Sequence, residues 1–164
     1  MRFRVVALRL GQKVPEFSVP DADKKMRSLS EFTREGTVIL AFFPFAFSGT
    51  CDKEMCTFRD GFGALRSAGA QLLGISVDSS FSLKAFAQTY NLEFPLLSDF
   101  NKRVARLYGV LQDPWVGYGY KGVAKRAVMV VDRRGMLRYR WVTDLPSEEP
   151  PYAEVVRAVQ KLTS

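Results

Sequence analysis

Histidine is absent from all 164 residues of the chain. Every nucleophile system that needs an imidazole base is therefore excluded, Ser-His-Asp and Cys-His alike. Most metal sites lose their commonest ligand as well. Cysteine is nearly as scarce, with two residues. Two thiolates cannot complete the roughly four-ligand shell of structural zinc. They are also too few for the disulfide framework of a small secreted protein. No window approaches the roughly 18 apolar residues that a membrane span requires. The opening stretch MRFRVVALRL mixes arginines into a short apolar run and has no small-residue cleavage site, so it does not read as a signal peptide. Residues 1–9 are expected to form a first strand or an extension. A cytoplasmic protein whose thiols are functional is the natural inference.

What is present is a globular composition, with 47% apolar residues and enough length for one domain with a real core, spanning 1–164. Basic residues outnumber acidic ones by 24 to 17, a net charge of +7. Such a balance raises the prior for anionic partners such as nucleic acid. The basic residues are scattered through every segment, however, and the densest cluster, DRRGMLRYR, reads as a hairpin. A solvated basic surface accounts for them, and neither nucleic acid nor membrane is expected as a partner.

Three apolar runs, TVILAFF (37–43), AQLLGISV (70–77) and AVMVVD (127–132), read as buried strands. Helical patterns lie between them at 79–91 and at 98–109, where Ser98 or Asp99 supplies an N-cap and Gly109 follows the end. The alternating MLRYRWV (136–142) predicts a hairpin that adds one antiparallel strand. After Pro150 and Pro151, the residues Tyr152, Val155, Val156, Val159 and Leu162 mark a last amphipathic helix. The order predicts an α/β fold of three layers around a mixed central sheet.

Both cysteines fall in FFPFAFSGTCDKEMC, just after the first buried run. Met55, Phe58, Phe62 and Leu65 form an apolar helical stripe that extends back to Cys51. Cys51 is thus expected in a helix's first turn, on the face toward the sheet. Cys56 lies about 140° further round, and the two Cα atoms are about 8 to 9 Å apart in an intact helix. A disulfide requires less than about 7 Å, so the two can bridge only if the first turn or two unwinds. A helix start favours an anion, which predicts a lowered thiol pKa at Cys51. A thiolate attacks peroxide oxygen to give sulfenic acid, and a second nearby thiol condenses with that to a disulfide. Cysteine is also among the most buried residue types, so two small core thiols are the plain alternative.

The neighbouring residues weigh against that alternative. Pro44, Ser48 and Cys51 in PFAFSGTC match the motif P-x-x-x-[T/S]-x-x-C after a buried strand, and Glu54 follows three residues later. The sequence resembles the peroxiredoxin family, most of all the Q-type (bacterioferritin comigratory protein) subgroup through its C-x4-C spacing, with some likeness to the one-cysteine E-type. LGQKVPEFSVPDADKKMRSLSEF, FPLLSDFNKRVARLYGV and AKRAVMVVDRRG extend the likeness over most of residues 10 to 162.

The resemblance implies a thioredoxin-like fold and thiol-dependent reduction of hydrogen peroxide and organic hydroperoxides. It implies Cys51 as peroxidatic nucleophile and Cys56 as resolving thiol. Arg126 would stabilise the thiolate and hydrogen-bond the peroxide. Ser48 would donate to the sulfur or accept from the peroxide, Pro44 would shape and shield the loop, and Glu54 would orient an arginine. A thioredoxin-like protein would reduce the disulfide, with no metal, haem or flavin, and the chain would act as a monomer or homodimer. The alternatives are a one-cysteine enzyme resolved by an external thiol and a general disulfide oxidoreductase; the absence of C-x-x-C opposes the second.

Overall fold

The fold is organised by a five-stranded sheet that sorts the chain's apolar residues onto two faces. The computed structural model describes residues 7–113 and 118–163. A small hairpin comes first, β1 (Ser18–Pro20) against β2 (Met26–Ser28), followed by α1 (Leu29–Thr33). Then come β3 (Thr37–Phe42), α2 (Thr50–Ser67), β4 (Ala70–Ser76) and α3 (Ser80–Tyr90). After these follow β5 (Leu96–Ser98), α4 (Arg103–Leu107) and the short pair β6 (Leu111–Gln112) and β7 (Val123–Ala124). The chain closes with β8 (Arg126–Val131), β9 (Leu137–Thr143) and α5 (Tyr152–Thr163).

The sheet order is β5-β4-β3-β8-β9, with β3, β4 and β5 parallel and β8 antiparallel to both β3 and β9. The hairpin is present, but its reversed member is β8, not β9. That follows from β8 pairing with β3, so that β9 returns to the direction of the parallel strands. All six residues of β3 are buried, as expected for a central strand covered on both faces. Val38, Leu40 and Phe42 point into one core, and Ile39 and Ala41 into the other, the two-residue period of a strand. The first core includes Val104, Ala105 and Tyr108 from α4 and its end; the second includes Met55 and Phe58 of α2, Leu83 and Phe86 of α3, and Val155 and Val159 of α5. The result is a mixed sheet between two helical layers, the thioredoxin-like sandwich.

Two helices differ from their sequence patterns. The pattern over 98–109 holds a helix only from Arg103 to Leu107, because Ser98 belongs to the strand paired with β4 and Lys102 takes a left-handed φ of 63° that stops the helix from running further back. The N-cap position is Lys102, not Ser98 or Asp99, but the Asp99 carboxylate still accepts from the first-turn N–H groups of Val104 at 3.0 Å and Ala105 at 2.8 Å. In α5, Val156 is 37% exposed, since the apolar stripe is one residue wide at that turn. The N-terminal strand or extension expected over residues 1–9 lies outside the described residues up to residue 6, and residues 7–9 form no strand. Leu8 is nevertheless buried, and Lys13 bridges to Met136 beside the β8–β9 turn. Among the described residues no helix is long and apolar enough to cross a membrane.

Gly36, just before β3, shows how tightly the parallel strands start. A Cβ there would lie 2.6 Å from the carbonyl oxygen of Gly69, backbone that cannot swing aside. Gly36→Ala is therefore expected to destabilise the protein by about 1–3 kcal/mol, a drop of about 2–10 °C in Tm. Thermal unfolding followed by circular dichroism checks this; an unchanged Tm would show that the two strand starts can separate freely.

Candidate active site

Strand β3 ends at Phe42, and the chain leaves the sheet through Phe43 and Pro44, both buried. The turn that follows reaches α2 at Gly49, whose φ of 64° suits a residue without a Cβ. Phe47 also has a left-handed φ, 64°, an uncommon conformation for a bulky side chain. The turn is tied down from outside: the Ala46 N–H donates to Oδ2 of Asp78 at 2.8 Å, and the Ser76 hydroxyl donates to the same oxygen at 2.6 Å. Asp78 follows the C-terminal end of β4, so the sheet itself anchors the loop.

Cys51 is the second residue of α2 and is fully buried. Glu54, three residues on, shares its face of the helix and is fully buried too. Arg126 begins β8, at the same end of the sheet at which β3 runs into the loop. Its guanidinium, 2% exposed as a residue, donates to the Cys51 sulfur at 3.1 Å and to the Pro146 carbonyl at 2.9 Å, and it pairs with Oε2 of Glu54. The Ser48 hydroxyl donates to the Phe45 carbonyl at 2.7 Å. Ser48 is exposed, so only a thin loop covers the thiol.

Several groups set the protonation of Cys51, and they oppose one another. Burial pushes the thiol up, the largest effect; the Arg126 charge pulls it down, as do hydrogen bonds from Ser48 and the Phe45 backbone, while Glu54 pushes it up further. The net shift is upward. The lowered pKa expected from the helix start is thus overridden, because the closed site takes the sulfur out of water. Burial also pushes Glu54 up, to about 7, against the pull of Arg126. Glu54 and Cys51 therefore compete for one guanidinium.

Cys56 stands apart. It is half-buried, and both thiols are free in a helix that runs unbroken past them. The structure thus brings Cys51, Glu54 and Arg126 into contact, sets Ser48 and Pro44 in the adjoining loop, and leaves Cys56 on another face. The anchors Asp78 and Pro146 escaped the sequence reading. Asp78 carried the weak signal of following a strand's C-terminal end; Pro146 contributes a backbone carbonyl, which no side-chain pattern announces. Among the described residues, no group of three or more His, Cys, Asp or Glu could hold a metal ion.

A thioredoxin-like sheet with a cysteine in this helix turn defines the class: a thiol oxidoreductase. Comparison with known proteins narrows it. Residues 10–140 match the AhpC/TSA family, and the chain belongs to that family, among the Q-type peroxiredoxins. A Coxiella burnetii protein bearing the peroxiredoxin bcp name is 39% identical over 137 residues, 83% of this chain and 89% of the relative. The chloroplastic peroxiredoxin Q of Triticum aestivum is 34% identical over 152 residues, 93% of this chain and 67% of that protein. The crystal structure of peroxidoxin BcpB from Mycobacterium tuberculosis superposes with a TM-score of 0.82 at 29% identity, covering 94% of this chain and 96% of that one. The protein is a thiol-dependent peroxidase.

The competition for Arg126 has a directional test. In a Cys56→Ser background, Glu54→Gln is expected to move the Cys51 thiol titration to lower pH, and Arg126→Met to higher pH. Ultraviolet thiolate absorbance across a pH series reads both. Shifts of the same sign in the two variants would break the proposed competition.

Proposed function

We propose that Cys51 is the peroxidatic thiol, that Cys56 resolves it, and that Arg126 is the electrostatic catalyst beside Cys51. The observation that carries this reading is the guanidinium at 3.1 Å from the buried Cys51 sulfur. There its charge is opposed by little water. The Cys51 thiolate attacks one oxygen of ROOH in line. The S–O bond forms, the O–O bond breaks, and the leaving oxygen departs as ROH after taking a proton. Arg126 faces the atoms over which negative charge moves, and the Ser48 hydroxyl, once turned from the Phe45 carbonyl, can donate to the sulfur or accept a hydrogen bond from the peroxide. Glu54 holds the guanidinium in place from the other side. Pro44, with no N–H, walls the loop without offering a competing donor.

The second half-cycle needs movement. The first turns of α2 unwind, the Cys56 sulfur attacks the sulfenic acid, an S–S bond forms and water leaves. A thioredoxin-like dithiol then reduces the bridge by exchange. Hydrogen peroxide and organic hydroperoxides are the substrates of this reading, and a compartment that supplies a thiol reductant is its setting. Two features favour unwinding: Gly49 caps the helix without a side-chain bond, and Ser48 and Gly49 are exposed.

Cys51→Ser is expected to abolish peroxide consumption. Cys56→Ser is expected to consume about one equivalent and stop at the sulfenic acid. Mass spectrometry of the parent after one equivalent should show the loss of two hydrogens within the 51–56 peptide. Full thioredoxin-supported turnover by Cys56→Ser would instead assign resolution to an external thiol. Arg126→Met is expected to slow the reaction with peroxide by about a hundredfold or more in stopped-flow measurements; a rate within a few-fold of the parent would falsify its catalytic role.

A further inference from the structure

Asp52, Cys56 and Arg59 follow one another at spacings of four and three, so they share one face of α2. That face meets Tyr90, the last residue of α3. The Tyr90 phenol donates to Oδ2 of Asp52 at 2.7 Å, and the Tyr90 carbonyl accepts from the Arg59 guanidinium at 2.8 Å. Cys56 lies between these two ties on the same face of the helix. The catalytic loop is fastened to the same place. Phe47, strained at a φ of 64°, packs edge-on against Phe86 at 5.1 Å between centroids and tilted against Tyr90 at 6.3 Å.

Each of these contacts joins a part of the site that must move to a helix that need not. Asp52 sits beside Cys51, in the turn that has to open for the two sulfurs to meet. Its second oxygen, Oδ1, is buried and has no hydrogen-bond partner among the described residues. Opening the turn would return Oδ1 to water but would break the bond that the Tyr90 phenol donates to Oδ2. The bond therefore opposes unwinding directly.

We propose that Tyr90 is a positioning residue that latches the first turns of α2 and so sets the fate of the Cys51 sulfenic acid. The inference rests on Cys51 and Cys56 acting as proposed above. Two reactions compete for the sulfenic acid. In one, Cys51–SOH and the Cys56 thiol give the disulfide and water. In the other, Cys51–SOH and a second ROOH give the sulfinic acid and ROH. The first requires the latch open; the second proceeds with it closed. A tighter latch thus favours irreversible oxidation as peroxide rises.

The test compares the parent with Tyr90→Phe, which keeps the ring and its contacts with Phe47 and Phe86 but removes the donor. Tyr139→Phe serves as the control, since Tyr139 makes a similar bond to Glu154 at 2.9 Å, between β9 and α5. Each reduced protein receives peroxide, is quenched with an alkylating agent at intervals, and is analysed by mass spectrometry. Tyr90→Phe is expected to form the 51–56 disulfide about tenfold faster. It should need correspondingly more peroxide to reach the same sulfinic fraction, while Tyr139→Phe matches the parent. Asp52→Ala should act in the same direction, and the double variant should gain nothing beyond the single ones if the bond carries the effect. Equal rates in parent and Tyr90→Phe, or equal acceleration by Tyr139→Phe, would overturn the latch. A parent that never forms the bridge would remove the resolving role of Cys56 and the latch with it. A parent that forms the bridge at the Tyr90→Phe rate removes the latch alone.

Discussion

One guanidinium, that of Arg126, is shared among a thiol, a carboxyl and a peptide carbonyl where almost no water reaches. A buried charge is costly unless it is paired and hydrogen-bonded. Each partner therefore depends on the others. Glu54 has no other ion-pair partner among the described residues, and its second oxygen is buried without a hydrogen bond. Arg126 in turn would be an uncompensated buried cation without Glu54. The sulfur gains an electrostatic partner that the carboxyl keeps in place. The same carboxyl weakens that partner's hold on the thiolate, so orientation of the arginine and ionisation of the cysteine are set against each other.

The sheet makes this meeting possible. β3 and β8 are antiparallel neighbours, so the end of one adjoins the beginning of the other. The loop that leaves β3 delivers Cys51 and Glu54 on a helix start, and the first residue of β8 delivers Arg126. Three segments far apart in the chain, 44–54, 126 and 146, converge because the central strand crosses the core without a break. The same sheet anchors the loop through Asp78 after β4. The site is rigid where chemistry needs charge held in place. It is strained at Phe47 and lacks a side-chain cap at Gly49.

Much of this was legible in the residues. The strands at 37–43, 70–77 and 127–132 were plain because a strand buried on both faces leaves a continuous apolar run. The position of Cys51 in a first helical turn could be read from the stripe through Met55, Phe58 and Leu65, because the helical period extends backward without tertiary information. Arg126 was another matter: with 24 basic residues, only the likeness to a known family singled it out. The helix over 98–109 was overextended because Ser98 is paired with β4 and Lys102 turns left-handed before the helix, and neither strand pairing nor a backbone turn leaves a mark on apolar periodicity. The lowered thiol pKa was expected from the helix dipole alone, a local effect. Burial, which reverses it, is a property of everything packed around the sulfur.

Local periodicity and side-chain chemistry sufficed to read which runs are strands, which face of each helix is apolar, that the chemistry uses thiols and not imidazole, and that the two thiols cannot bridge in an intact helix. Those follow from bond geometry and side-chain chemistry, which act over a few residues. The folded chain alone reveals that β8 is the reversed strand, that one arginine serves both Cys51 and Glu54, and that Asp52 is fastened to Tyr90. Those depend on which distant groups the core brings within a few ångströms, and on how little water remains between them.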